Sequence, residues 1–144
     1  MKKNLFVLCA IFASLMLFTS CDDEGGGSNR GYAPSSIQSG MTLSGASEYF
    51  NFGSGTISLS SLAKALGYDS FVGTPTVNYK RTSSNSATLS WSASVHNKGM
   101  LGVIEAHTET MTGNVTLFFI SPSEGYASGT ENGKTVSDRH FTLL

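Results

Sequence analysis

In the stretch Ala87-Thr88-Leu89-Ser90-Trp91-Ser92-Ala93-Ser94-Val95, every odd position is apolar and every even position carries a hydroxyl. That period of two is the mark of a β-strand with one buried face. Less regular alternation recurs at Met41–Gly45, Glu48–Phe52, Thr56–Ser60, Thr76–Thr82, Leu101–Thr110, Asn114–Ser121, Gly125–Thr130 and Thr135–Leu143. Short strands at even spacing with turn residues between them predict an antiparallel sandwich or barrel.

Loop length sets which side chains face each other across a hairpin. A two-residue turn at Ser54-Gly55 places Phe52 opposite Ile57 and Phe50 opposite Leu59. A three-residue loop at Ser83-Ser84-Asn85, with Asn85 left-handed, places Tyr79 opposite Leu89 and Val77 opposite Trp91. A turn at Lys98-Gly99 pairs Ala93 with Ile104 and Trp91 with Ala106. Asn132-Gly133, the clearest hairpin signal in the chain, pairs Ser128 with Ser137 and Tyr126 with Arg139.

A single short helix is expected at Ser61–Leu66, capped by Ser60 or Ser61 at its start and Gly67 at its end. One helix among so many strands covers a sheet or plugs a barrel mouth, and closing the sheet removes exposed edges. The expected fold is therefore all-β: a small antiparallel barrel of about eight strands with one short helix.

Several segments carry a family likeness: Ala33-Pro34-Ser35-Ser36-Ile37, Val77-Asn78-Tyr79-Lys80-Arg81 with Ala87-Thr88-Leu89, Leu117-Phe118-Phe119 with Gly125-Tyr126, and Phe141-Thr142-Leu143. Together they resemble the small lipocalin-like barrel lipoproteins of gut anaerobes. The resemblance implies the fold and a ligand-binding capacity, and names no ligand. Lipocalins place a tryptophan early, near a late arginine; here Trp91 is central and Arg139 late, so the likeness is one of architecture.

The chain's first residues read differently. Lys2 and Lys3 precede an apolar stretch from Leu5 to Phe18, followed by Thr19-Ser20-Cys21. At about 14 residues the stretch is short for a bilayer span, which favours a cleaved signal peptide over residues 1–20. Cys21 would then be the lipidated first residue, anchored by acyl chains worth roughly 0.8 kcal/mol per buried methylene. Asp22-Asp23-Glu24 and the glycine-rich run to Gly31 cannot bury apolar area and form an expected tether over residues 21–31. An acidic triplet after the lipidated cysteine resembles a surface-export tag, so an outer-membrane, cell-surface address is expected. The barrel domain is expected over 32–144.

Removing residues 1–20 leaves 124 residues with seven basic and ten acidic side chains, a length that suits one domain. It also removes Cys9, leaving Cys21 without a disulfide partner. Scattered cations form no basic stripe, which argues against nucleic-acid binding.

Candidate chemistry is sparse. No serine sits in a Gly-x-Ser-x-Gly elbow, and no glycine-rich loop leads from strand to helix, so a non-enzymatic protein without cofactors is expected. Glu105, His107 and Glu109 alternate on one strand and are expected to form a solvated outer face rather than a metal site. Asp138 and His140 share a strand face and could orient each other.

Two functional classes remain. In one, Tyr79, Trp91, Phe50, Phe52, Tyr126 and Arg139 line an interior that holds a small apolar molecule. In the other the interior is filled and recognition is external. External binding would use sugar stacking on Tyr32, Tyr49 or Tyr68, or docking of an envelope protein on a patch of Val103, Phe118 and Ile120. A turn at Met111-Thr112 would put Leu117 and Phe119 inside and Phe118 and Ile120 outside, where Leu62 and Leu66 of the helix are their natural cover.

Overall fold

The structure is a computed structural model that describes residues 31–144; the expected signal peptide over 1–20, Cys21 and the expected tether up to Arg30 lie outside the described residues. Eight antiparallel strands form one sheet: β1 (Leu43–Ser44), β2 (Phe50–Phe52), β3 (Ile57–Leu59), β4 (Tyr68–Arg81), β5 (Ser86–Asn97), β6 (His107–Ser121), β7 (Glu124–Glu131) and β8 (Lys134–Leu143). Their order is β3-β2-β1-β8-β7-β6-β5-β4, so the sheet curls until its two outer strands are neighbours. The result is a nearly closed barrel. No ladder joins β3 to β4; aromatic side chains bridge that side, with Phe50 stacked on Phe71 at 6.1 Å and Tyr49 edge-on to Tyr68 at 5.9 Å.

The alternation of β5 is realised residue by residue: Ala87, Leu89, Trp91, Ala93 and Val95 are buried. The hairpin at Ser54-Gly55 has the expected register, Phe50 against Leu59 and Phe52 against Ile57. So does the loop before β5, with Tyr79 opposite Leu89 and Val77 opposite Trp91. Asn85, however, is not left-handed. Its conformation serves contacts instead: its side-chain oxygen accepts the Tyr32 N–H at 2.9 Å and its carbonyl accepts the Phe119 N–H at 2.8 Å.

Two expected turns do not exist. Lys98-Gly99 opens a longer connection to β6, closed on itself by Met100 and Ile104, and Ala93 faces Met111 rather than Ile104. Met111-Thr112 lies within β6, because Met111 belongs to the inner face and is 2% exposed. The two runs Leu101–Thr110 and Asn114–Ser121 are thus a loop and one 15-residue strand. β4 in turn begins at Tyr68, and its Gly73-Thr74-Pro75 is a register shift rather than an end; proline is tolerated there because β4 is an outer strand.

Trp91 lies opposite Gly113, and its ring occupies the space a Cβ on Gly113 would need. Phe52 packs against the same indole at 5.0 Å, and Phe119 meets Phe141 edge-on at 4.9 Å. With Phe50, Leu43, Leu89, Leu117, Val95 and Val115 also fully buried, side chains fill the barrel.

Residues 32–42 form a strap across one mouth, here the proximal mouth. Ala33 donates to Ser84 O at 3.0 Å, Tyr79 Oη donates to Pro34 O at 2.9 Å, and Ala33 and Ile37 are buried. At the opposite, distal mouth sits α1 (Ser61–Ala65), whose N-cap Ser60 accepts the Ala63 N–H at 3.1 Å. Ala63 is its buried residue and it packs on β4, while Leu62 and Leu66 are exposed. The helix therefore does not cover Phe118 and Ile120.

Candidate functional site

The distal mouth holds an ionic cluster, centred on the buried Glu131, that the β7–β8 hairpin builds. Asn132 and Gly133 adopt positive φ of 50° and 76°, which two-residue turns between right-twisted strands require. The turn leaves Glu131, opposite Lys134, on the inner face with Ala127. Farther along, Ser128 faces a β-bulge at Ser137-Asp138, where Asp138 has φ of 48° and donates to Ser128 Oγ at 3.0 Å. The extra residue shifts the pairing by one, so Ala127 faces Arg139 and Tyr126 faces His140. Without the bulge Arg139 would point outward.

Turned inward, Arg139 reaches Glu131 Oε2 through Nη1 at 2.5 Å and Glu48 Oε1 through Nη2 at 3.1 Å. Glu131 is 4% exposed. Its other oxygen accepts the Ser47 hydroxyl, while the Glu48 N–H approaches Oε2 at 3.3 Å. Ser47 Oγ also accepts the N–H groups of Tyr49 and Phe50 at 3.1 and 3.2 Å. A carboxylate this buried is tolerable because each oxygen has a donor.

Beside the cluster is an open depression of about 120 Å³, lined by Tyr49, Glu48, Glu131, Asn132, Lys134 and Arg139 among others. Burial raises the pKa of Tyr49, reinforced by the charges of Glu48, Glu131 and Glu109. Tyr68, edge-on to Tyr49 at 5.9 Å and outside the lining, donates its hydroxyl to the Glu109 carboxylate; burial and then that bond push its pKa to about 12. Asn97 ties the rim together, donating to Leu66 O at 3.1 Å and accepting the Gly99 N–H at 2.8 Å.

These phenols give a pH prediction. Tyr79, half-buried under the strap, is likewise raised to about 12 by burial. A pKa raised in the fold means the folded state keeps the proton longer, so this contribution is complete below the unfolded value of about 10 and is lost as pH climbs toward 12. Phenolate absorbance followed alongside far-ultraviolet circular dichroism should show late-titrating tyrosines ionising together with loss of strand signal. Ionisation of all five tyrosines near pH 10 in an intact fold would contradict it.

The residues named from sequence are dispersed. Trp91 and Arg139 face inward and Tyr79 is half-buried toward the core. Tyr126 is outside, on the face opposite Ala127 in the alternation of β7; the bulge on β8 turns Arg139 inward and leaves Tyr126 opposite His140, edge-on at 5.8 Å. Phe118 and Ile120 point outward as expected, but Val103 sits in the β5–β6 connection at the other end of β6 and is not part of their patch.

The Glu105, His107, Glu109 ladder is also rearranged. Glu105 is in the connection, and His107 and Glu109 share the inner-face parity of Met111 at the distal mouth. His107 Nε2 is 3.6 Å from Glu109 Oε1. Among the described residues no group of three His, Cys, Asp or Glu side chains is placed to hold a metal. Asp138 and His140 do not orient each other: Asp138 bonds Ser128, and His140 Nε2 lies 3.4 Å from Glu124. His96 pairs with Asp69 at 2.9 Å, and that bond is the leading reason the Asp69 pKa is lowered.

Glu48 and Glu131 carry no local motif that points to a site, and Glu109 stands out only as part of the Glu105, His107, Glu109 alternation. Glu131 had a legible signal, since it continues the inner parity of Ala127 and Gly129 up to the turn. No protein-family model, curated protein or solved structure matches the chain.

Proposed function

We propose that this chain is a lipocalin-like lipoprotein, anchored through Cys21 in the outer membrane with its barrel at the cell surface, and that the barrel is a non-catalytic recognition module for a saccharide bound at the distal mouth. The supporting observation is the pairing of an interior occupied by large apolar side chains with a polar depression that carries the Tyr49 ring beside the Glu131–Arg139–Glu48 cluster. A side-chain core leaves recognition to the rim. There Tyr49 offers a ring for a sugar face, Glu48 accepts hydroxyl protons, and Asn132 and Lys134 donate.

Titration calorimetry with oligosaccharides of envelope and host-glycan composition tests this reading. A binder should lose about tenfold or more in affinity with Tyr49→Ala while Tyr32→Ala changes nothing. Absence of binding across neutral and acidic glycans, or equal loss from both variants, would reject the site. Mass spectrometry of the mature chain tests the address separately, since an N-terminus other than acylated Cys21 would reject the anchor.

One observation favours a second reading, an apolar ligand with one polar contact. Trp91 Nε1 is buried without an acceptor among the described residues, and a shallow depression across β4 and β5 is lined by Val77 and Trp91. Quenching or a spectral shift of Trp91 on adding a fatty acid or sterol would support it; unchanged emission at saturating ligand would dismiss it.

A further inference from the structure

Phe118, Ile120 and Tyr126 form a continuous apolar patch on the outer wall, 53%, 44% and 40% exposed. Phe118 and Tyr126 are directly opposed across β6 and β7, and Ile120 is two positions along from Phe118 on the same face. Beside them His140 and Glu124 lie 3.4 Å apart, both about half-exposed. No helix or loop covers the patch among the described residues.

The location of the patch relative to the incoming chain says what it meets. Tyr32 N–H donates to the side chain of Asn85, and the backbone carbonyl of Asn85 accepts the N–H of Phe119, the neighbour of Phe118. Gly31 is against Ser84, close enough that a Cβ would overlap the Ser84 carbonyl. The chain therefore joins the barrel one residue's width from the patch. Between Cys21 and Gly31 lie ten peptide steps, at most about 35 Å of chain. An anchor at Cys21 would hold the proximal mouth and its patch within that distance of the lipid.

We infer that the Phe118, Ile120 and Tyr126 patch docks on the bilayer surface that carries the anchor, an inference that rests on the lipidation of Cys21. A short tether raises the local concentration of lipid surface to the millimolar range or above, so an intrinsically weak contact is occupied. The side chains suit the interface: two apolar groups enter the acyl boundary while the Tyr126 hydroxyl stays at headgroup level. Docked in this way the barrel has a fixed tilt and its distal mouth is turned toward solution.

The experiment uses the acylated mature protein in phosphatidylethanolamine and phosphatidylglycerol vesicles, with one spin label at Thr116→Cys on the patch side or at Lys134→Cys at the distal hairpin. The Thr116 label should lose contact with a water-soluble relaxant and gain contact with oxygen, while the Lys134 label stays water-exposed. The pair Phe118→Ser and Ile120→Ser should restore water contact at Thr116 without releasing the protein from vesicles. Equal exposure of both labels in an acylated chain overturns the docking alone. Shielding at Thr116 in a vesicle-free Cys21→Ser protein also overturns it, in favour of a second copy on the patch. An intact mass without acyl chains defeats the anchor and the docking with it.

Discussion

Gly113→Val should destabilise the barrel by about 3 kcal/mol, measured as a lowered urea midpoint at unchanged slope. The position is in β6, where valine has a good intrinsic preference, so propensity alone predicts a gain. Packing reverses the sign: the indole of Trp91 lies over Gly113, and a Cβ there would overlap its six-membered ring. Trp91 cannot retreat easily, because Phe52 stands at 5.0 Å on it and the residue is 4% exposed. Trp91 is the sole tryptophan, so native-state emission should shift to the red as the ring is displaced. Asn114→Val, one residue along and facing solvent, is the control and should change stability by less than about 0.5 kcal/mol. A Gly113→Val protein as stable as the parent would mean that the indole does not occupy that space.

Arg139→Met should cost about 3 kcal/mol, again by urea unfolding. The loss arises less from the missing attraction than from what remains: the Glu131 carboxyl, 4% exposed, is left with only Ser47 and the Glu48 N–H as donors. Arg139 itself is about a quarter exposed, which places the estimate at the lower end for a broken buried pair. Pairing the change with Glu131→Leu should recover most of the stability, since the orphaned charge is gone. That double variant also tests function, because it removes the Glu131–Arg139 pair that holds Glu48 while leaving Tyr49, Asn132 and Lys134 in place. Glu48→Gln, at the exposed side of the cluster, should cost under about 1 kcal/mol. A double variant as unstable as Arg139→Met would show that the cost is lost packing of the arginine stem rather than an unpaired carboxylate.

Face was more legible than register. Leu117 and Phe119 turn in and Phe118 and Ile120 turn out, as local alternation says, even though the turn assumed to precede them is the middle of a strand. Parity is a property of adjacent residues, whereas register depends on loops, and Lys98-Gly99 imitates a tight hairpin while opening a longer connection. Bulges are hidden for the same reason. Nothing in Ser137-Asp138 announces a left-handed aspartate, yet that residue decides that Arg139 rather than His140 faces inward. The ionic cluster was obscured by chemistry: acidic side chains read as outward-facing, and only a buried arginine within reach makes Glu131 tolerable inside. The depression beside it joins Tyr49 and Lys134, which are far apart in sequence, and no local pattern brings such positions together.

The strap over the proximal mouth also determines how the molecule bears load. Tension on the chain ahead of Gly31 falls first on the bonds of Tyr32 to Asn85 and Ala33 to Ser84, then on the Tyr79 hydroxyl at Pro34. These give way one at a time, as a zip does, whereas the long ladder between β5 and β6 is loaded only afterwards. A few residues can thus peel and re-seat, baring Ala33 and Ile37 briefly, while the strands behind them hold.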